Sequence, residues 1–394
     1  VSLSDLWRLR ADALVGGGRG AEAAEAFVRA ADSASGATAG DVLDLRRRAA
    51  EQFLFSGRYE EGLRVMRSVL DAVGVALPSS PRAAILAALA GRTRFLARSL
   101  GPGFLRRGAA PVSPQRLDAL WTACAALSMV QPALADAMGV QHLRESLDLG
   151  DPSRAVRALG YEATCESSLG GAFFRGRSRR LLDETARLAA STGRPYDLAW
   201  SRMAEGTAAW LQADWASAFD RCDAALALYT RECRGVAWET ATSRIYSLSA
   251  LALMGRFAEL GRRMPEALNE AEAHGDRFAL GGYCVGQQGL HWVAAGRLDA
   301  WRAFAERARS TWLPGSFHLQ RYSYLVAATQ ADLARGDGWA AFERIESEWA
   351  ALDAAQLLRL EVPGIELLQL RARAALACAG RGAPSSRGAW TRPR

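Results

Sequence analysis

Gly57-Arg58-Tyr59-Glu60-Glu61-Gly62-Leu63 is the stretch from which the fold can be read. A glycine can take the left-handed conformation that ends a helix. An aromatic two residues later can wedge the next helix against the one just finished. The phrase returns as Ala213-Asp214-Trp215-Ala216-Ser217-Ala218-Phe219 and as Gly255-Arg256-Phe257-Ala258-Glu259-Leu260. It comes again as Gly296-Arg297-Leu298-Asp299-Ala300-Trp301 and, one residue longer, as Gly336-Asp337-Gly338-Trp339-Ala340-Ala341-Phe342. The anchors 215, 257, 298 and 339 step by 42, 41 and 41 residues. Upstream, Gly18-Arg19-Gly20-Ala21 stands 39 residues before Tyr59, with Gly in the anchor place. From 59 to 215 is 156 residues, or four steps of 39, and the slot near 178 holds Gly176-Arg177-Ser178. The slot near 137 is degenerate.

Helical periodicity flanks these phrases. In residues 241–254, Ile245, Leu248, Leu251 and Ala252 share one face. No stretch alternates as a strand would. The sequence therefore predicts an all-α fold, an α-solenoid of about 8–9 antiparallel helical hairpins with a period of about 40 residues. The Gly-Arg-aromatic turn is tetratricopeptide-like, and the longer period implies helices extended by about a turn each.

The 394 residues include 49 Arg and no Lys. Without Lys, the chain lacks the phosphate-loop Lys of P-loop NTPases and the strand Lys of protein kinases. Charge is local: residues 74–114 carry six Arg and no acid, and residues 380–394 carry four Arg and no acid. The remainder holds 39 Arg against 42 acids, which argues against a general nucleic-acid surface. These shifts divide the chain into N-terminal hairpins (1–73), a basic insert helix bounded by Pro and Gly (74–114), C-terminal hairpins (115–379) and a basic tail expected to be disordered (380–394). No apolar run approaches a membrane span. The insert is read as an irregular hairpin built into the array, and membrane contact through residues 82–107 is not expected. With no signal-peptide pattern, the chain is expected in the cytoplasm. It begins Val-Ser-Leu-Ser-Asp without Met, as either a fragment or a separate gene with a non-ATG start would.

No catalytic residue stands out. HExxH, GxSxG, a strand-linked GxGxxG and Asp-rich metal motifs are all absent from the sequence. The six Cys form no CxxC, so no cofactor and no metal are expected. Cys124 and Cys165 lie 41 residues apart, one repeat step, as packing residues would. His142 and Glu145 share a helical face without a further ligand. Arg175, Arg177, Arg179 and Arg180 could clamp a phosphate, although Asp183 and Glu184 one turn on suggest local pairing. Trp215, Trp301 and Trp339 sit at or beside the repeat anchors. Trp200, Trp210 and Trp238 fall in or near first helices, which line the concave side of such arrays. Trp238 and Arg244 are the candidate partner-binding residues, chosen from helix position.

Several separated runs then point to one family: Gly18–Phe27, Leu45–Leu54, Gly62-Leu63, Leu127-Ser128-Met129-Val130, Arg231–Glu239 and Phe317-His318-Leu319-Gln320. Together they resemble the C-terminal helical-repeat region of large bacterial serine/threonine protein kinases that carry a central ATPase module. The resemblance covers residues 5–379 and implies a non-catalytic regulatory or sensor array acting on a kinase/ATPase module, in cis or in trans. It transfers no active-site residue, and the kinase and ATPase modules are themselves missing from this sequence. The alternatives are an enzyme on an α-toroid, which needs converging carboxylates, and the sensor region of a transcription activator lacking its DNA-binding domain.

Overall fold

The computed structural model describes residues 2–99, 112–128, 131–309 and 319–379. The tail 380–394, residues 100–111 of the basic insert, Met129-Val130 and Phe317-His318 lie outside the described residues. Those described form nineteen α-helices and no strand, so the protein is all-α. In order these are α1 (Leu3–Gly16), α2 (Gly20–Asp32), α3 (Ala39–Phe55), α4 (Tyr59–Ala72), α5 (Pro81–Ser99), α6 (Pro114–Leu127) and α7 (Pro132–Leu149). They continue as α8 (Pro152–Ser168), α9 (Gly171–Thr192), α10 (Pro195–Leu211), α11 (Trp215–Glu232), α12 (Ala237–Leu253) and α13 (Phe257–His274). The last are α14 (Arg277–Cys284), α15 (Leu290–Ala294), α16 (Leu298–Arg309), α17 (Leu319–Ala334), α18 (Gly338–Ala354) and α19 (Glu361–Ala379).

The recurrent phrase is one turn built six times. Gly18, Gly57, Gly255, Gly296 and Gly336 have φ between 66° and 83°, and Ala213 has φ of 61°. In each copy the next residue's N–H reaches back to a carbonyl five residues earlier, as Arg58 N does to Phe53 O at 2.8 Å and Asp214 N to Ala209 O at 2.9 Å. The positive-φ residue bonds the carbonyl three back. This paired arrangement satisfies the last carbonyls of the ending helix. The following position meets the new helix in two ways. Arg19 and Arg58 pair with Glu22 and Glu61 three residues on, at 2.6 and 2.7 Å, and Arg256 pairs with Glu259. Asp214 and Asp337 instead accept the N–H of Ser217 and Ala340 at 3.1 and 3.0 Å.

The anchors do not all act alike. Tyr59 is buried and Trp215, Phe257 and Leu298 are half-buried, whereas Trp339 is 44% exposed. In the Gly296 copy it is Trp301, three residues past the anchor, that fills the core.

The middle of the chain departs from the expected register. Gly176-Arg177-Ser178 lies inside α9, and the slot near 137 lies inside α7; neither is a turn. The joint between α8 and α9 falls at Gly170-Gly171, both at positive φ. The second helices of successive pairs begin at 20, 59, 132, 171, 215, 257, 298 and 338. Their spacing is 39–44 residues except for 73 across the basic insert. The 156-residue gap therefore holds two helix pairs and α5 rather than four equal units.

Helices pack on their chain neighbours, and first helices also touch the first helices of the next pair, as α8 touches α10 and α10 touches α12. Close approach depends on small residues: a Cβ at Gly206 would meet the backbone N of Cys222 at 2.9 Å, and one at Gly160 would meet Trp200 Nε1 at 2.7 Å. The largest core cluster runs from α5 to α17, with smaller ones at α1–α3, α3–α7 and α17–α19. α5 packs on α7 through Ala84, Ala88 and Gly91. The first helix of the seventh pair is broken at Val285-Gly286, and buried polar groups bridge the break. Trp210 Nε1 donates to Ser249 Oγ, which donates to Gln287 Oε1, whose amide donates to Glu366 at 2.9 Å.

Candidate functional site

Three places gather polar chemistry inside this all-helical frame. The first is a cleft where the first two helix pairs meet the middle of the chain. Its wall is aromatic: Phe55 at the end of α3 stacks on Trp238 at the start of α12, with centroids 4.9 Å apart and planes 18° from parallel. Phe278 stands behind, 6.4 Å from Trp238. Gln52, Ser56, His274 and Asp276 supply the polar rim, with Val15, Gly18, Gly20, Gly235 and Ala237 completing it. Asp276 caps α14 by accepting from Ala279 N at 2.9 Å. Burial pushes its carboxyl up to about 6 against that hydrogen bonding. With no side chain at these glycines the facing segment comes close: a Cβ on Gly18 would stand 3.2 Å from His274 Nδ1, and one on Gly57 3.0 Å from Arg277 Cβ and 3.2 Å from the Phe278 backbone N. The enclosed space of about 20 Å³ holds roughly one water-sized group. Among the described residues its lining holds one carboxylate, Asp276.

The second place lies along the first helices. Tyr196 donates to the Glu239 carboxylate at 2.8 Å. Burial raises Glu239 to about 7, with Glu51 pushing the same way and the Tyr196 hydrogen bond opposing. Tyr229, with its ring 5.9 Å from that of Tyr196, is fully buried, and its hydroxyl has no partner among the described residues.

The third is a guanidinium hub. Arg92 of α5 reaches Glu162 of α8 at 2.7 Å through Nε and both oxygens of Asp136 of α7 at 2.7 and 2.5 Å. Asp136, Glu162 and Cys165 offer ligand atoms within 4.8 Å of one another, a spacing a cation could use. Arg92 already supplies the positive charge there, and burial drives the Cys165 thiol far above its ordinary range, away from the thiolate a metal needs. The hub is structural: it fastens α5 to two helices at once.

Trp238 is 9% exposed and forms the cleft wall. Arg244 lies on another face of α12, where it pairs with Glu270 of α13 at 2.7 Å and meets Tyr283 of α14. The two are not brought together. His142 is buried against Trp121 and Ser146, while Glu145 turns to Arg116 at 2.8 Å, so the HxxE pair does not converge. In the Arg175–Arg180 group, Arg177 binds the buried Glu166 at 2.5 Å and Arg175 binds Glu361 at 2.6 Å, while Arg179 and Arg180 are exposed with no ion pair among the described residues. Glu184 pairs with Arg187. Cys124 and Cys165 do lie in the first helices of successive pairs, and all six cysteines are free thiols. Sequence reading missed Phe55, His274 and Asp276, which only the return of the chain brings beside Trp238. It missed the Arg92 hub as well; Gly91-Arg92 beside an otherwise apolar run was the available signal.

In comparisons with known proteins, no family model matches the chain and no curated protein matches it significantly.

Proposed function

We propose that this chain is a non-catalytic regulatory or sensor scaffold. On this reading it is a tetratricopeptide-like α-solenoid of eight hairpins with α5 inserted and α19 added. It binds a protein or signal ligand and modulates a serine/threonine kinase–ATPase signalling protein, in cis or in trans. The observation that carries it is the recurrence of one left-handed turn at 18, 57, 213, 255, 296 and 336, with steps of 39–42 residues apart from the 156 between 57 and 213, between helices that pack on their chain neighbours. Such a frame presents extended surface rather than a chamber. The cleft at Phe55 and Trp238 has enclosed space for a single small group, enough for the tip of a partner side chain. Trp238 keeps its assignment as a contact residue on this reading. Arg244, engaged with Glu270, supports α12 from behind.

The test is the size and company of the native polypeptide, captured with an antibody against this array from lysate of the source organism. The reading expects a kinase–ATPase, either in the same polypeptide, far above 42.4 kDa, or co-purifying with a free-standing array. A band at 42.4 kDa with no kinase or ATPase in the capture overturns it.

A further inference from the structure

We infer that α5 is a membrane-surface contact: its outer face, formed by Arg82, Leu86, Leu89 and Arg94, seats on an anionic lipid surface. This stands apart from the regulatory reading, and it reverses the sequence expectation that residues 82–107 make no membrane contact. α5 carries apolar residues on two opposite sides, as a helix held between two surfaces does, with arginines between them. Its inner side, Ala84, Ala88, Gly91 and Phe95, is buried, and Arg92 locks that side to Asp136 and Glu162. The opposite side has no cover among the described residues. Leu86 is 67% exposed and Leu89 54%, with Ala87, Ala90 and Thr93 exposed around them. Arg82, Leu86, Leu89 and Thr93 follow one another at helical spacing on the side away from α7, and Arg94 flanks them.

Charge decides the occupant. Arg82 and Arg94 are exposed and make no ion pair or hydrogen bond among the described residues, unlike Arg92 between them. Residues 74–114 contain six Arg and no acid, while the chain without this stretch and the tail is net acidic. A second copy of the chain would bring like charge against like charge. A folded protein partner usually meets its target with mixed charge and shaped pockets. The outer face of α5 has one sign of charge and a smooth pair of leucines, which suits a laterally uniform anionic surface. The acidic remainder of the chain would be repelled by the same surface and so orient α5 toward it. No helix is long and apolar enough to cross the bilayer, so the contact lies in the interface.

The test is flotation of the full chain with vesicles of phosphatidylserine mixed into phosphatidylcholine, beside vesicles of phosphatidylcholine alone. Binding is expected to the mixed vesicles only, weakening as salt is raised. At about 1 kcal/mol for each arginine near the surface, R82Q with R94Q lowers the binding about thirty-fold. Leu86→Gln with Leu89→Gln also reduces it, which a purely ionic patch would not show. All four side chains are exposed, and unchanged circular dichroism and melting temperature confirm that the variants fold. The inference is overturned by equal binding to neutral vesicles, by unchanged binding of either double variant, or by no binding at low salt. It is overturned too if the leucine variant binds normally and soluble poly-glutamate displaces the vesicles, the result expected of a site for an acidic protein.

Discussion

The ring of Phe55 in α3 lies nearly parallel to the indole of Trp238 in α12, with their centroids 4.9 Å apart, and this contact joins the first helix pairs to the middle of the chain. Around it the union is held by the seating of Gly18 on the His274 ring, Gly235 on Val15 and Gly57 on the Arg277-Phe278 backbone rather than by a broad helix–helix face.

Replacing Trp238 by Ala should therefore be costly, about 3–5 kcal/mol for a buried Trp. Of this, roughly 0.5–1.5 kcal/mol belongs to the pairing with Phe55. A double-mutant cycle with Phe55→Leu and Trp238→Leu, read by urea denaturation, measures that coupling. Strict additivity would show that the stack contributes no pairing energy.

Ala213 holds a left-handed turn that glycine holds in five sister copies. A side chain there costs about 1–2 kcal/mol, partly offset by the greater freedom glycine has when unfolded. Ala213→Gly is expected to stabilise the protein by about 1 kcal/mol, visible as a higher denaturation midpoint. A lower midpoint would mean that the Ala213 methyl makes packing contacts worth more than the strain.

Removing Arg92 leaves Glu162, 2% exposed at its side chain, without its counter-charge. Arg92→Met is expected to cost about 3–5 kcal/mol, and the companion change Glu162→Gln should recover much of it. Proteolysis within α5 should follow the same order, fastest in the single variant. Equal resistance in all three forms would contradict the role of the hub as the fastener of α5.

Glu239 titrates near 7 in the folded chain because burial disfavours its charge. An unfolded glutamate titrates near 4.3. Between these values the folded state holds a proton that the unfolded state has released, so stability falls as pH rises from about 4.5 through 7. The loss is on the order of 1–3 kcal/mol. Glu239→Gln should flatten this part of the stability–pH curve; an unaltered slope would place the titration elsewhere, with Glu162 or Asp276 the next to be replaced.

Much of the architecture can be read from the sequence because Gly-Arg and Asp joints act locally. A left-handed residue, a back-bonded N–H and a capping side chain all lie within a few positions, so the phrase and its structure coincide at 18, 57, 213, 255, 296 and 336. The register fails between α4 and α11 because the joint there is Gly170-Gly171, followed by Ala172 where the phrase has Arg, while Gly176-Arg177 imitates the phrase inside a helix. The cleft is less legible. Helix position put Trp238 on a first helix, but what faces it, Phe55, Gln52 and His274, depends on how successive pairs rotate. No short motif records that rotation. Arg244 looked equivalent from position alone and was already engaged by Glu270 on the neighbouring helix.

The seam between Phe55 and Trp238 also bears on the order of folding. Turns and adjacent helices need only short loops to close, so helix pairs can form within a local stretch of chain and spread to their neighbours. The Phe55–Trp238 contact must wait until every pair between α3 and α12 is in place. Stopped-flow refolding followed by tryptophan fluorescence should show helix formation completed before a slower phase that Phe55→Leu alters. The last event in making this molecule would then be a long-range closure between parts that are already built.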